Sequence, residues 1–273
     1  MKTKTHDRLC PVLAAVVLLA AAPAFAQERG ADEPGPAGAP QAGESGLTGE
    51  SPAYLRSARN AFIEALDFQG ALGPARQLVT RAGAADDPEL PRDVAMLARV
   101  EAELEDFDSA ERDYLKAIDL IQKADGEFSI SLVDAYRGLG RSYIKSRQFP
   151  EAVTALDEAR HISQRNLGLF NVTQTPLIDD LTTAYLGLGD TITAQRLQQE
   201  RLENAVRRFG EDDPKTIPYR YQLASYYDES RLRTSARQEY EKILAVVEQQ
   251  NEGNGTALLR PLRELLRIDL LIG

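Results

Sequence analysis

The sequence has no tryptophan, one cysteine, two histidines and two methionines among its 273 residues. Each scarcity removes a class of chemistry. Cys10 lies in the first 26 residues, so the chain beyond them offers no disulfide and no thiolate metal site. His161 is the one histidine left beyond residue 26, and no ligand spacing accompanies it. It reads as a surface or packing residue on a helix. A glycine-rich phosphate loop, a nucleophile elbow and an H-E-x-x-H motif are all missing. Gly138-Leu139-Gly140 and Gly187-Leu188-Gly189 read as packing and turn residues. No catalytic residue, cofactor or metal is expected, and the chain is not expected to be an enzyme.

Basic charge is in short supply as well. Lys and Arg total 32 against 42 Asp and Glu, a net charge of −10. Lys2, Lys4 and Arg8 against Asp7 give the first 26 residues +2, so the rest carries −12. An acidic body is a poor match for nucleic acid or anionic lipid. Long apolar runs are scarce. Val12 to Ala22 is the clearest, and it is too short to span a bilayer comfortably. With the charged start before it and Ala24-Phe25-Ala26 after it, residues 1–26 read as a signal peptide cut after Ala26. An uncleaved anchor is the competing reading. Cys10 precedes the apolar run, which is the wrong place for lipid attachment. The alanine-rich leader looks bacterial and points to the periplasm or secretion. Residues 27–50, rich in Gly, Pro, Ala and Glu, read as a disordered linker.

Ala, Leu, Glu, Arg and Gln abound, a mixture that favours helices. From Leu90 onward the sequence repeats itself. Ala110, Ala152, Ala194 and Ala236 stand 42 residues apart. Before them, at constant offsets, come Leu97, Leu139, Leu181 and Leu223, then Ala98, Gly140, Thr182 and Ala224, then Glu101, Tyr143, Tyr185 and Tyr227. After them come Gly126, Gly168 and Gly210, with Gly253 one place late. A period in this range signals a solenoid. Each unit divides into two helices, as in Ile130–Ser146 and Phe149–Leu167, separated by the polar break Ser146-Arg147-Gln148. Glycine stops the second helix, and Pro176, Pro214 and Pro218 sit near starts of first helices. Small residues at the anchor columns let paired helices approach closely.

A small residue, an aromatic three places on and a second small residue nine beyond it, best carried by Gly140, Tyr143 and Ala152, resembles the tetratricopeptide repeat. The usual period of that family is about 34 residues. The 42-residue period and the stretch Arg208-Phe209-Gly210-Glu211-Asp212-Asp213-Pro214-Lys215-Thr216 resemble the kinesin-light-chain subtype instead. The resemblance covers Leu90 to Gln250. It implies an all-α fold, a right-handed α-solenoid of stacked antiparallel helix pairs. Residues 51–273 form the repeat domain, with core repeats over about 90–252 and divergent flanking units over 51–83 and 256–271. The packing residues are Ala98, Ala110, Gly140, Tyr143, Ala152, Tyr185, Ala194, Ala224, Tyr227 and Ala236. Glu101 departs from the pattern, and Gln198 and Arg201 roughen the second helix of the third unit. Leu258, Leu262, Leu265, Leu266 and Leu270 form a helical stripe like the first helix of a fifth unit.

The resemblance also implies that the first helices line a groove that holds partners. The expected contact residues are Arg99, Arg137, Arg141, Lys145, Asp179 and Tyr221, giving a basic first half and an acidic second half. Arg99, Arg137 and Arg141 resemble the basic clamp by which some members grip carboxylates, a task suited to the guanidinium fork. The competing reading is solvated charge that stabilises its own helix, as Asp134 could do for Arg137. Asp179, Asp180, Asp212 and Asp213 read as solvated surface, since adjacent helical positions point about 100° apart. The function implied is an exported protein-protein interaction module or scaffold holding an extended peptide or assembly subunit. Nothing in the sequence indicates an oligomeric state. An envelope enzyme or accessory subunit acting on a polymer through carboxylates is the alternative, and it requires a closed pocket with a perturbed acid. A structural spacer is a third.

Overall fold

The computed structural model describes residues 51–85, 87–250 and 255–272. The expectations for the leader, the linker and Gly253 lie outside the described residues. Among the described residues there are eleven α-helices and no strand. The four 42-residue units are α3 (Leu90–Glu103) with α4 (Phe107–Asp125), α5 (Leu132–Lys145) with α6 (Phe149–Leu167), α7 (Thr175–Gly187) with α8 (Thr191–Phe209), and α9 (Ile217–Glu229) with α10 (Arg233–Gln250). The flanks are α1 (Pro52–Glu64) with α2 (Phe68–Ala85), and α11 (Leu259–Ile272). Consecutive helices pack as pairs and each pair packs on the next, which is the expected all-α solenoid.

The repeat is written into the turns as well as the core. Gly126, Gly168 and Gly210 end the second helices at φ of 91°, 90° and 100°. There glycine is needed, because a Cβ is strained in the left-handed region. Asp87, Ser129, Asn171 and Asp213 stand 42 residues apart, and each side-chain oxygen accepts from the backbone N–H two residues on, at 2.9, 3.3, 2.8 and 2.8 Å. These local bonds turn the chain into the next first helix. Asp106 and Asp190 cap second helices by accepting from Ser109 and Thr193 N–H at 3.3 and 3.0 Å.

Ala98, Ala110, Ala152, Ala194, Ala224 and Ala236 are fully buried. Gly140 shows why its column is small. A Cβ built there would stand 2.5 Å from Leu156 Cγ on α6. The tyrosines are amphipathic: Tyr143 Oη donates to Glu111 at 2.8 Å, Tyr227 Oη accepts from Gln199 at 2.9 Å, and Tyr185 is half-buried. In the third unit, Thr182 and Gln198 replace an apolar contact by a buried hydrogen bond of 2.8 Å.

The flanks differ from expectation in detail. The second helix of the first flank begins at Phe68 and runs to Ala85, two residues past the expected end of that unit at 83. This flank is tied to the first repeat by charge: Arg59, buried, donates to Asp93 at 2.6 Å, and Arg56 reaches Asp93 at 2.6 Å and Asp87 at 2.7 Å. At the other end the leucine stripe splits. Leu258, Leu265 and Ile268 pack into the last core cluster, whereas Leu262, Leu266 and Leu270 are exposed.

Candidate functional site: the groove of the first helices

The first helices line two clefts. The first, about 350 Å³, lies between α3 and α5 and is bounded by Arg92, Met96, Arg99, Arg137, Arg141 and Lys145. The second, about 510 Å³, lies among α7, α9 and α11, with Asp179, Thr183, Tyr221, Glu229, Arg260 and Arg267 on its walls. Arg99, Arg137, Arg141 and Lys145 thus share one cleft, and Asp179 and Tyr221 share the other.

The charges are not equivalent. Arg137 Nε donates to Asp180 on α7 at 2.5 Å. Lys145 pairs with Glu103 on α3 at 2.5 Å. Both cations bridge neighbouring units, so the intrahelical Asp134–Arg137 pair does not form. Asp179 and Asp180 are not free solvated charges either. Asp179 takes Arg201, whose side chain is 4% exposed, and Asp180 takes Arg137. Burial pulls the Arg201 guanidinium down from its ordinary value and Asp179 opposes the shift. The structure therefore leaves the second half of the groove less acidic than the sequence suggests.

Arg99 and Arg141 are different. Both are exposed, and among the described residues neither side chain has a hydrogen bond or ion pair. Between them lies Tyr114, a buried residue of α4 whose hydroxyl reaches the cleft floor. Burial pushes its phenol up to about 12, while the charges of Arg99 and Arg141 act in the opposite direction. The ring passes over Gly138, where a Cβ would meet Tyr114 Oη at 2.6 Å. Sequence reasoning missed Tyr114 because it belongs to a second helix. The signal was Gly138, a glycine inside a first helix and therefore a window to the helix behind.

In the second cleft, Arg260 stacks on the Tyr221 ring at 4.0 Å, and Tyr221 lies 6.0 Å from Tyr240. Burial raises the Tyr221 phenol and Arg260 opposes the rise.

The most perturbed acid lies elsewhere. Burial pushes Glu101 up to about 6, the Asp113 charge adds to this, and Arg76 at 3.4 Å opposes it. Glu101 lines neither cleft. His161 is exposed, with its ring 6.3 Å from Phe128. Among the described residues no acidic or histidine cluster has metal-ligand geometry, and no helix is long and apolar enough to cross a membrane.

Residues 93–165 match the family model for the tetratricopeptide repeat. Over these residues, which span the first two 42-residue units, the chain carries tetratricopeptide repeats. Its fold is similar to the nearly identical TPR-like repeats named for a kinesin light chain of Podosopora anserina, with a TM-score of 0.61 at 19% identity over 75% of this chain and all of that one. BtubC (BKLC) from P. vanneervenii superposes with a TM-score of 0.55 at 21% identity, over 74% of this chain and 82% of that one. The C-terminal part of a TPR repeat-containing protein from Cytophaga hutchinsonii gives 0.52 at 14% identity, over 82% and 78%. No curated protein matches the sequence. At these identities the likeness is one of fold. The tetratricopeptide architecture supports a protein-interaction or scaffold role, and it explains why the two clefts lie on the first-helix side.

Proposed function

We propose that this chain is an exported interaction module whose groove grips an acidic, extended segment of a partner protein at Arg99 and Arg141. One observation carries the reading. In the first cleft Arg137 and Lys145 are neutralised by neighbouring units, whereas Arg99 and Arg141 stand on adjacent first helices with no internal partner. A guanidinium without an internal acid keeps its donors for a visiting carboxylate. Tyr114 adds a hydroxyl to the floor between them. The leader reading supplies the compartment, the periplasm or beyond.

The test is fluorescence anisotropy with labelled extended peptides of matched length, one set acidic and one neutral. Acidic peptides bind, and added salt weakens them. Arg99→Ala with Arg141→Ala reduces their affinity by about tenfold or more while the helical circular dichroism is unchanged. Equal binding of both sets, or undiminished binding by the double variant, overturns the reading. Export is checked by mass spectrometry of the secreted chain, whose first residue should be Gln27.

A further inference from the structure

Within the four 42-residue units the apolar core is continuous at one end and broken at the other. One cluster fills α3 to α6 and the next fills α5 to α8, and both take in Val133, Tyr136 and Tyr143. The second cluster ends at Leu197 on α8. A third begins at Leu202 on the same helix and runs on to α11, with no residue in common with the second.

The residues around the break supply the reason. Gln198, Arg201 and Asn204 stand on columns that read Leu156, Ala159 and Ile162 in the second unit and Tyr240, Ile243 and Val246 in the fourth. All three polar residues are buried. Gln198 Nε2 donates to Thr182 Oγ1 at 2.8 Å, and Arg201 pairs with Asp179. Arg201 Nε and Asn204 Nδ2 are buried without a hydrogen-bond partner. The first helices follow the same division. Helix α3 packs on α5 and α5 on α7, whereas α7 and α9 are splayed, with the second cleft between them.

Parting two apolar faces costs free energy in proportion to the area exposed. Parting Gln198 and Arg201 from their partners exchanges those bonds for bonds to water at little net cost. The two orphaned donors gain a partner outright. In a linear array of units the weakest interface opens first.

We propose that α8 is the hinge of the solenoid, about which the fourth unit and α11 swing against the units before it, widening and narrowing the second cleft. That cleft has walls on both sides of the break, Asp179 and Thr183 on α7 and Tyr221 and Glu229 on α9. The first cleft lies wholly before it, between α3 and α5, so the motion is independent of the grip at Arg99 and Arg141.

Double electron–electron resonance on the full chain tests the proposal. Arg112, Thr154, Arg196 and Gln238 are exposed and stand 42 residues apart on α4, α6, α8 and α10. With Cys10→Ser, spin labels at Thr154→Cys and Gln238→Cys span the break. Labels at Arg112→Cys and Arg196→Cys span as many units before it. The distance distribution of the first pair should be at least about twofold broader than that of the second. Gln198→Leu, Arg201→Ala and Asn204→Ile together give α8 the second unit's residues and should narrow the first distribution to the width of the second. Arg201→Met, which removes the buried charge and keeps much of the volume, should narrow it part of the way. Equal widths for the two pairs overturn the proposal by themselves. A first distribution that stays broad in the folded triple variant, or in Arg201→Met where the triple variant does not fold, also overturns it.

Discussion

Arg137 Nε and Asp180 Oδ2 meet at 2.5 Å, joining α5 to α7 across a gap of 43 residues in the chain. This makes Arg137 a strut between units. Its side chain is 30% exposed and that of Asp180 is 18% exposed, so solvent screens the pair. A double-mutant cycle with Arg137→Ala and Asp180→Ala should give a coupling energy of about 0.5–1 kcal/mol in urea unfolding. A coupling near zero would mean that the pair does not bridge the two units in solution.

Much of this architecture was legible in the sequence, because a tandem repeat prints each structural demand several times. The anchor alanines, the glycine stops and the two-helix unit all follow from columns in one 42-residue frame. The charge network was harder to see. Screening for pairs three or four residues apart finds partners on one helix, yet Lys145 pairs with Glu103 one full period away, and Arg160 pairs with Glu200 40 residues away. Opposite charges about one period apart are the pattern that a solenoid makes. Tyr114 was hidden for another reason: its role depends on what Gly138 lacks. The two faces of α11 could not be separated while its packing against α10 was unknown.

Glu101 occupies the column held by tyrosine in the other three units, and it is 3% exposed. Its Oε2 has no hydrogen-bond partner. The carboxyl is raised from an ordinary 4.5 to about 6, chiefly by burial. A raised acid favours the folded state only while protonated. The penalty is therefore absent below about pH 4.5, grows between 4.5 and 6, and is full above 6. Glu101→Gln should stabilise the protein by on the order of 1–2 kcal/mol at pH 7.5 and by almost nothing at pH 4. Thermal unfolding at the two pH values checks this, and an equal effect at both would assign the shift to another group.

The turn inside each unit gives an independent check of the frame. Glu105, Arg147, Gly189 and Arg231 are 42 residues apart and all have positive φ, at 64°, 61°, 78° and 61°. Only the third unit uses the residue that tolerates this conformation. Arg147 is exposed and makes no recorded side-chain bond, so Arg147→Gly removes strain and nothing else. It should raise stability by about 0.5–1 kcal/mol, and Gly189→Arg should lower it by a similar amount. The next residue can be improved too. Gln148 has φ −89° and ψ 69°, close to the −83° and 75° of Asp190, but provides no side-chain cap. Gln148→Asp should add roughly 0.5–1 kcal/mol. Denaturant midpoints for the two single variants and their combination measure the gains.

Gly138 and Gly140 lie two residues apart on α5 and face different helices, so one added methyl group should have different consequences at each. A Cβ at Gly140 would press on Leu156 Cγ at 2.5 Å, and Leu156 is fully buried with little room to turn. Gly140→Ala should cost about 1–3 kcal/mol by forcing α5 from α6. Ala98 and Ala224 fill the same column without such a penalty, because Tyr114 and Tyr240 stand where Leu156 does. Gly140→Ala combined with Leu156→Ala should therefore lose less than the two single costs added together, by about 0.5–3 kcal/mol. At Gly138 the methyl group would instead meet the Tyr114 ring at 2.5 Å, on the floor of the first cleft. Gly138→Ala should displace the hydroxyl between Arg99 and Arg141 and weaken acidic-peptide binding. Gly140→Ala, measured where it remains folded, should leave that binding unchanged. If the two variants lost affinity equally, Tyr114 would have no part in the site beyond supporting the helix above it.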